Sequence, residues 1–155
     1  MASVQRGDIL VRMEKSIDIK ASPEKVWEIL ALDRWPEWMD VAEVESAKYT
    51  SEVRTPEDKY KVGASAHIVE KRWEYELNVM ESLENEKLTV RSKGKYTYTM
   101  TYLLKPIEEG TRLMFSGDFV MPGGILGKAL YKLLSGAAEK QVDRALEKLK
   151  SILEK

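Results

Sequence analysis

GILGKALYKLLSGAAEKQVDRALEKLKSILE, residues 124–154, is the stretch on which the fold turns. It contains no proline, and its apolar residues recur at helical spacing. Leu126, Leu130, Leu133, Leu134 and Ala137 fall on one broad side, which continues through Gln141, Val142, Ala145, Leu149 and Ile152. Lys128, Lys132, Glu139, Lys140, Asp143, Glu147 and Lys150 fall on the other. At ~1.5 Å rise per residue, a helix over this stretch is roughly 45 Å long and crosses a whole small domain. Pro122-Gly123-Gly124 supplies the break before it.

Ahead of the helix the chain alternates with period two. The strongest signal sets Tyr96, Tyr98, Met100, Tyr102 and Leu104 against Thr97, Thr99, Thr101 and Leu103. Residues 111–120 follow, with Leu113, Phe115 and Phe119 on one side. Upstream, Trp73, Tyr75, Leu77 and Val79 alternate with polar neighbours, as do Leu88, Val90 and Ser92. Residues 43–54 and 61–70 also read as strands. The first strand spans 9–20, where Lys15 interrupts an apolar side made by Val11, Met13, Ile17 and Ile19. Behind it, Ser22 is placed to cap a short helix with Pro23 at its first position, ending near Leu32. Asp33 to Met39 reads as a second helical turn.

This order predicts an α+β domain. An antiparallel sheet of six or seven strands curves round the C-terminal helix, the only element long enough to cover its apolar face. Residues 1–12 read as a short extension with the start of the first strand, and 13–155 as a single domain.

The totals narrow the function classes. The 155 residues carry 25 basic and 26 acidic side chains, well mixed, which argues against a nucleic-acid partner. There is no cysteine, so thiol chemistry and disulfides are excluded. With one histidine, His67, no His-rich metal site can form. No apolar run reaches the ~18 residues of a membrane span, and the N-terminus lacks a signal core, so a cytoplasmic location is expected. No phosphate loop, nucleophile motif or cofactor fingerprint is present. No cofactor, metal or catalytic residue is assigned, and the oligomeric state is left open.

Three segments resemble a known superfamily. Residues 17–27, Ile17-Asp18-Ile19-Lys20-Ala21-Ser22-Pro23-Glu24-Lys25-Val26-Trp27, resemble the opening signature of the START-related helix-grip (SRPBCC) proteins. Asp33-Arg34-Trp35-Pro36-Glu37-Trp38 resembles their second-helix segment, and Glu109-Gly110-Thr111-Arg112 their G-G-T-R loop. The branch most similar is the polyketide cyclase/dehydrase and lipid-transport group, and the similarity runs from about Met13 to the end. The resemblance implies a helix-grip fold enclosing an apolar tunnel. It spans ligand carriers, cyclases and chaperone activators, so it does not choose among functions.

The residues favour the first. Alternation puts Trp73, Tyr75, Tyr96, Tyr98 and Tyr102 on the inner face with Phe115 and Phe119. Each could be ordinary core. Together they put several hydroxyls that need partners on one concave face, as in a lined pocket with polar handles. Ile68 and Glu70 share that face, and Glu70 is the one carboxylate placed near it. Leu126, Leu130, Leu133 and Ala137 are the expected helix wall, with the small residues Ser135-Gly136-Ala137-Ala138 leaving free volume or allowing close contact. Trp35 and Trp38 are either core anchors or one side of a mouth, whose other side is the glycine-bearing segment 117–124. His67 points outward with no nucleophile beside it. The expected function is binding or transport of a small apolar ligand such as a lipid, isoprenoid, polyketide or aromatic compound. The alternatives are a cyclase/dehydrase that uses Glu70 and the tyrosines, and a protein-interaction module of the chaperone-activator type.

Overall fold

The computed structural model describes residues 9–39, 43–71, 73–94, 97–121 and 128–155; at 9–11, 120–121 and 128–135 the description is of the backbone. Residues 1–8, and with them the expected extension, lie outside it.

Strand β1 (Ile9–Ile19) leads into α1 (Pro23–Ile29), a 3-10 turn (Leu32–Arg34) and α2 (Trp35–Trp38). Then come β2 (Val44–Tyr49), a second 3-10 turn (Pro56–Lys59), β3 (Ser65–Glu70), β4 (Glu74–Leu83) and β5 (Lys87–Lys93). β6 (Thr97–Ile107), β7 (Gly110–Met121) and α3 (Lys128–Leu153) complete the chain. The start of α1 follows its sequence: Pro23 opens the helix, and the Ser22 Oγ accepts the Lys25 backbone N–H at 3.4 Å. The second 3-10 turn, Pro56–Lys59, is capped by Asp58, whose carboxylate accepts the Thr55 backbone N–H at 3.2 Å.

All seven strands form one antiparallel sheet in the order β1-β7-β6-β5-β4-β3-β2. The register lines up the inner face in rows. Met13, Gly117, Met100, Val90 and Val79 make one row, and Lys15, Phe115, Tyr102 and Leu88 another. The apolar alternation that predicted the strands is therefore continuous across the sheet.

The cover over this face differs from expectation in one respect. α3 does not cover it alone. It packs against β1, α1 and α2, while α1 touches β6 and β7, and α2 touches β2. Trp35 and Trp38 are each 2% exposed and stand among the largest fully buried side chains. Two short helices can share the covering role because each carries a tryptophan-sized apolar payload. Trp27 and Leu30 are buried, Leu149 is fully buried, and Ile152 is partly buried against the core.

Lys15, the charge on the apolar side of β1, has a structural reason. Its ammonium lies 3.2 Å from Glu139 and 3.3 Å from Asp143, tying the strand to α3. At the other end of α3, Lys150 Nζ donates to the Asp18 carbonyl at 3.0 Å, and the Lys20 N–H donates to Glu154 at 2.9 Å.

The phase of α3 also corrects the sequence reading. The broad stripe counted there exceeds the width of the true contact face. Residues at its edge, Ala137 and Gln141, are exposed, whereas Ala138, Val142, Ala145, Leu146 and Leu149 face the core. A Cβ built on Gly136 meets nothing within 4 Å, so close packing does not require a glycine there. Gly136→Ala should therefore raise stability by ~0.5–1 kcal/mol, through helix propensity alone. Chemical denaturation reads this directly, and a loss of stability would show that α3 is tightly apposed at that turn.

Candidate functional site

The inner face carries two runs of aromatic rings, built by the register just described. The deeper run starts on α2. Trp35 meets Trp38 edge-on at 5.0 Å, Trp38 meets Tyr102 at 6.0 Å, and Tyr102 meets Phe115 at 5.5 Å. These separations suit attractive edge and tilted ring contacts. The Trp38 Nε1 donates to the Ile29 carbonyl at 3.2 Å, and the Tyr102 hydroxyl to the Met100 sulfur at 3.7 Å. The Trp35 Nε1 is buried and has no hydrogen-bond partner among the described residues. Trp35 and Trp38 thus sit inside the domain, not at a rim.

The second run lies toward the end of the sheet where β3 turns into β4 and β7 ends. Trp73 contacts Tyr75 at 5.1 Å, Tyr75 contacts Tyr98 at 5.8 Å, and Tyr98 contacts Phe119 at 5.6 Å. Glu70 joins it as the polar member. Its carboxylate accepts the Trp73 indole N–H on one oxygen and the Tyr75 hydroxyl, at 2.6 Å, on the other. The local reason is the β3–β4 hairpin, where the Glu70 N–H donates to the Trp73 carbonyl at 2.9 Å and brings the two side chains together. Tyr75 is buried, but Glu70, Trp73, Tyr98 and Phe119 are only partly buried although they share its face. Gly94 allows this packing on β4, since a Cβ there would stand 3.1 Å from that of Tyr75.

Two further inner-face residues shape this end of the sheet. The Ser92 Oγ accepts the Tyr98 backbone N–H at 2.9 Å, which holds β6 at this end. Gly117 lies in β7, between the two phenylalanines. A Cβ on it would come within 2.9 Å of the Phe119 ring and 3.0 Å of the Phe115 ring, so both rings lean over the bare backbone. Its alternation with Phe115 and Phe119 was the available signal. Of the segment 117–124 expected at a mouth, residues 117–121 are strand, and 122–127 lie outside the described residues.

Among the other expected site residues, Ile68 is fully buried, paired across the strands with Tyr75. Ala137 is exposed and forms no part of a wall facing the sheet. Bulk added at Ala137 would project to solvent. Tyr96 and Leu126 lie outside the described residues, as do the side chains of Leu130 and Leu133. His67 is on the outer face, 3.3 Å from Glu74. Among the described residues no group of three or more acidic or histidine side chains could hold a metal ion. Among them too, no helix is long and apolar enough to cross a membrane.

The tyrosines act as neutral hydroxyls. Burial pushes Tyr75 far above the usual phenol range, with the neighbouring Tyr98 and Glu70 adding to the effect. Burial does the same for Tyr98, Tyr102 and Tyr49, and raises Tyr60 to about 12. In the unfolded chain they would ionise near the ordinary value of 10.0. Above that pH the folded state holds more protons than the unfolded one, so stability falls as pH rises through it. The five should show little phenolate absorbance until the fold opens, and the two transitions should coincide in an alkaline titration followed by near-ultraviolet absorbance and circular dichroism.

Comparisons with known proteins agree with this architecture. The family model described as polyketide cyclase/dehydrase and lipid transport matches residues 11–154. Among curated proteins none matches the chain. Solved structures of similar fold include a Bacillus halodurans protein, 17% identical over 93% of this chain and 97% of that one, with a TM-score of 0.72. A START superfamily protein from Mycobacterium smegmatis is 15% identical over 92% and 98%, with a TM-score of 0.69. The Aha1 dimer from Colwellia psychrerythraea is 18% identical over 93% and 96%, with a TM-score of 0.63.

Proposed function

Because the chain belongs to the polyketide cyclase/dehydrase and lipid-transport family, we propose that it is a cytoplasmic binding or carrier protein for a small hydrophobic molecule. The ligand lies between the inner face of the sheet and its helical cover, with its polar end at Glu70, Tyr75 and Tyr98. One observation carries this reading. Trp73, Tyr98 and Phe119 are aromatic, face inward, and yet stay only partly buried at one end, while Tyr102 and Phe115 on the same face are fully covered. Apolar surface left open inside a curved sheet, with a few polar groups beside it, is what a ligand site requires.

A cyclase/dehydrase reading draws on the same residues. Glu70 would supply the acid–base group, and the raised tyrosines would act only as hydrogen-bond donors, since they stay protonated. No nucleophile or metal is needed for either role.

Protein purified from its source and sprayed under native conditions should carry a small molecule that organic extraction releases. A chain that is ligand-free from source and takes up no lipid, isoprenoid or aromatic extract would remove the carrier reading.

A further inference from the structure

We infer that the ligand ends in a hydrogen-bond donor, best a protonated amine, and that Glu70 selects it; this rests on the binding reading above. A carboxylate accepts hydrogen bonds through about four lone-pair positions. Among the described residues the donors to Glu70 are Trp73 and Tyr75, which occupy one position on each of its oxygens and leave acceptor capacity on both. Those two donors are directed at Glu70. A ligand acid reaching this point would compete with Glu70 for them.

Charge and shape act in the same direction. The partly buried carboxylate of Glu70, held at the edges of Trp73 and Tyr75, offers an organic cation an ion pair and charge-assisted hydrogen bonds. An anionic headgroup would instead meet a like charge in a partly buried place, where water screens it less than in bulk. The row of rings continues to Phe119, which gives the adjoining part of the ligand an apolar surface. The substrate class is thus a hydrophobic amine, with a neutral alcohol second and a carboxylic acid rejected.

Decylamine, decanol and decanoate share one chain and differ only at the head. Each is titrated below its micelle concentration, at neutral pH, against a bound neutral naphthyl dye. The amine should displace the dye best, and decanoate at least about tenfold less well. Glu70→Gln keeps the shape and removes the charge, and should weaken the amine until the three agree within about threefold. Circular dichroism verifies that the variant folds; if it does not, the wild-type order alone decides. Decanoate binding as well as decylamine, or an order unchanged in Glu70→Gln, overturns the inference. In that case the dye still binds and the carrier reading survives. If neither the dye nor any of the three binds, both fall together.

Discussion

Gly110→Ala is expected to cost about 3 kcal/mol or more, the largest loss from an added methyl at any described glycine. Gly110 opens β7 with φ at +154°, a conformation side chains rarely adopt. Its missing Cβ would stand 2.1 Å from the Ile19 carbonyl oxygen and 2.9 Å from the Ala21 nitrogen, both backbone atoms. Neither can step aside, because the same crossing is pinned from three directions. The Thr111 hydroxyl donates to the Ala21 carbonyl at 2.7 Å, Arg112 pairs with Asp18 at 2.8 Å, and Lys150 holds the Asp18 carbonyl. The G-T-R segment is therefore a joint where β1, β7, the start of α1 and the end of α3 meet. Gly63 gives the control. It too has a positive φ, +94°, but a Cβ there meets nothing within 4 Å. Gly63→Ala should cost only the backbone strain, ~1–2 kcal/mol. Urea titration of both separates clash from strain, and equal losses would show that Gly110 is not closely overlaid.

Leu149→Ala is expected to cost ~2–5 kcal/mol, since Leu149 is fully buried where α3 docks. The loss combines the transfer of the removed methyl groups with the cavity left behind in the buried cluster that also holds Trp27 and Leu30. α3 should remain helical while docking less firmly, so the urea midpoint should drop with little change in far-ultraviolet signal at zero denaturant. A loss below ~0.5 kcal/mol would mean that the C-terminal half of the helix is not seated on the core.

Much of this fold could be read from local pattern. The tyrosine–threonine alternation of 97–104 and the Ser22-Pro23 start carry their own periods and caps, and both stand in the structure where that chemistry puts them. What could not be read depends on tertiary contact. The phase of α3 is set by which edge of its stripe meets β1 and α2, so Ala137 turns out and Leu146 turns in. Lys15 looked like a flaw in its strand because its partners, Glu139 and Asp143, are over a hundred residues away.

The site was legible in the same uneven way. Strand parity placed Glu70, Tyr75, Tyr98 and Phe119 on one face. It could not show that Glu70 is gripped by Trp73 and Tyr75, because that needs the hairpin to close. It also hid the burial of Trp35 and Trp38: short helical turns give no face until they are docked. The sequence sets Gly117 both in the strand 111–120 and in the glycine-bearing segment of a mouth; that the Phe115 and Phe119 rings lean over it shows only once the sheet is folded.

Gly117→Val tests the central claim, that the inner face borders a space able to take an apolar molecule. Valine suits a strand, and its bulk must push the Phe115 and Phe119 rings toward the helical cover. If that space accommodates a ligand, the rings can swing into it. Titration with a neutral naphthyl dye should then show saturable uptake of about one molecule per wild-type chain, and a loss of at least about tenfold in Gly117→Val with the fold retained. A wild-type protein that takes up no dye, or a Gly117→Val protein that unfolds from overpacking, would mean the interior is solid and would contradict the account.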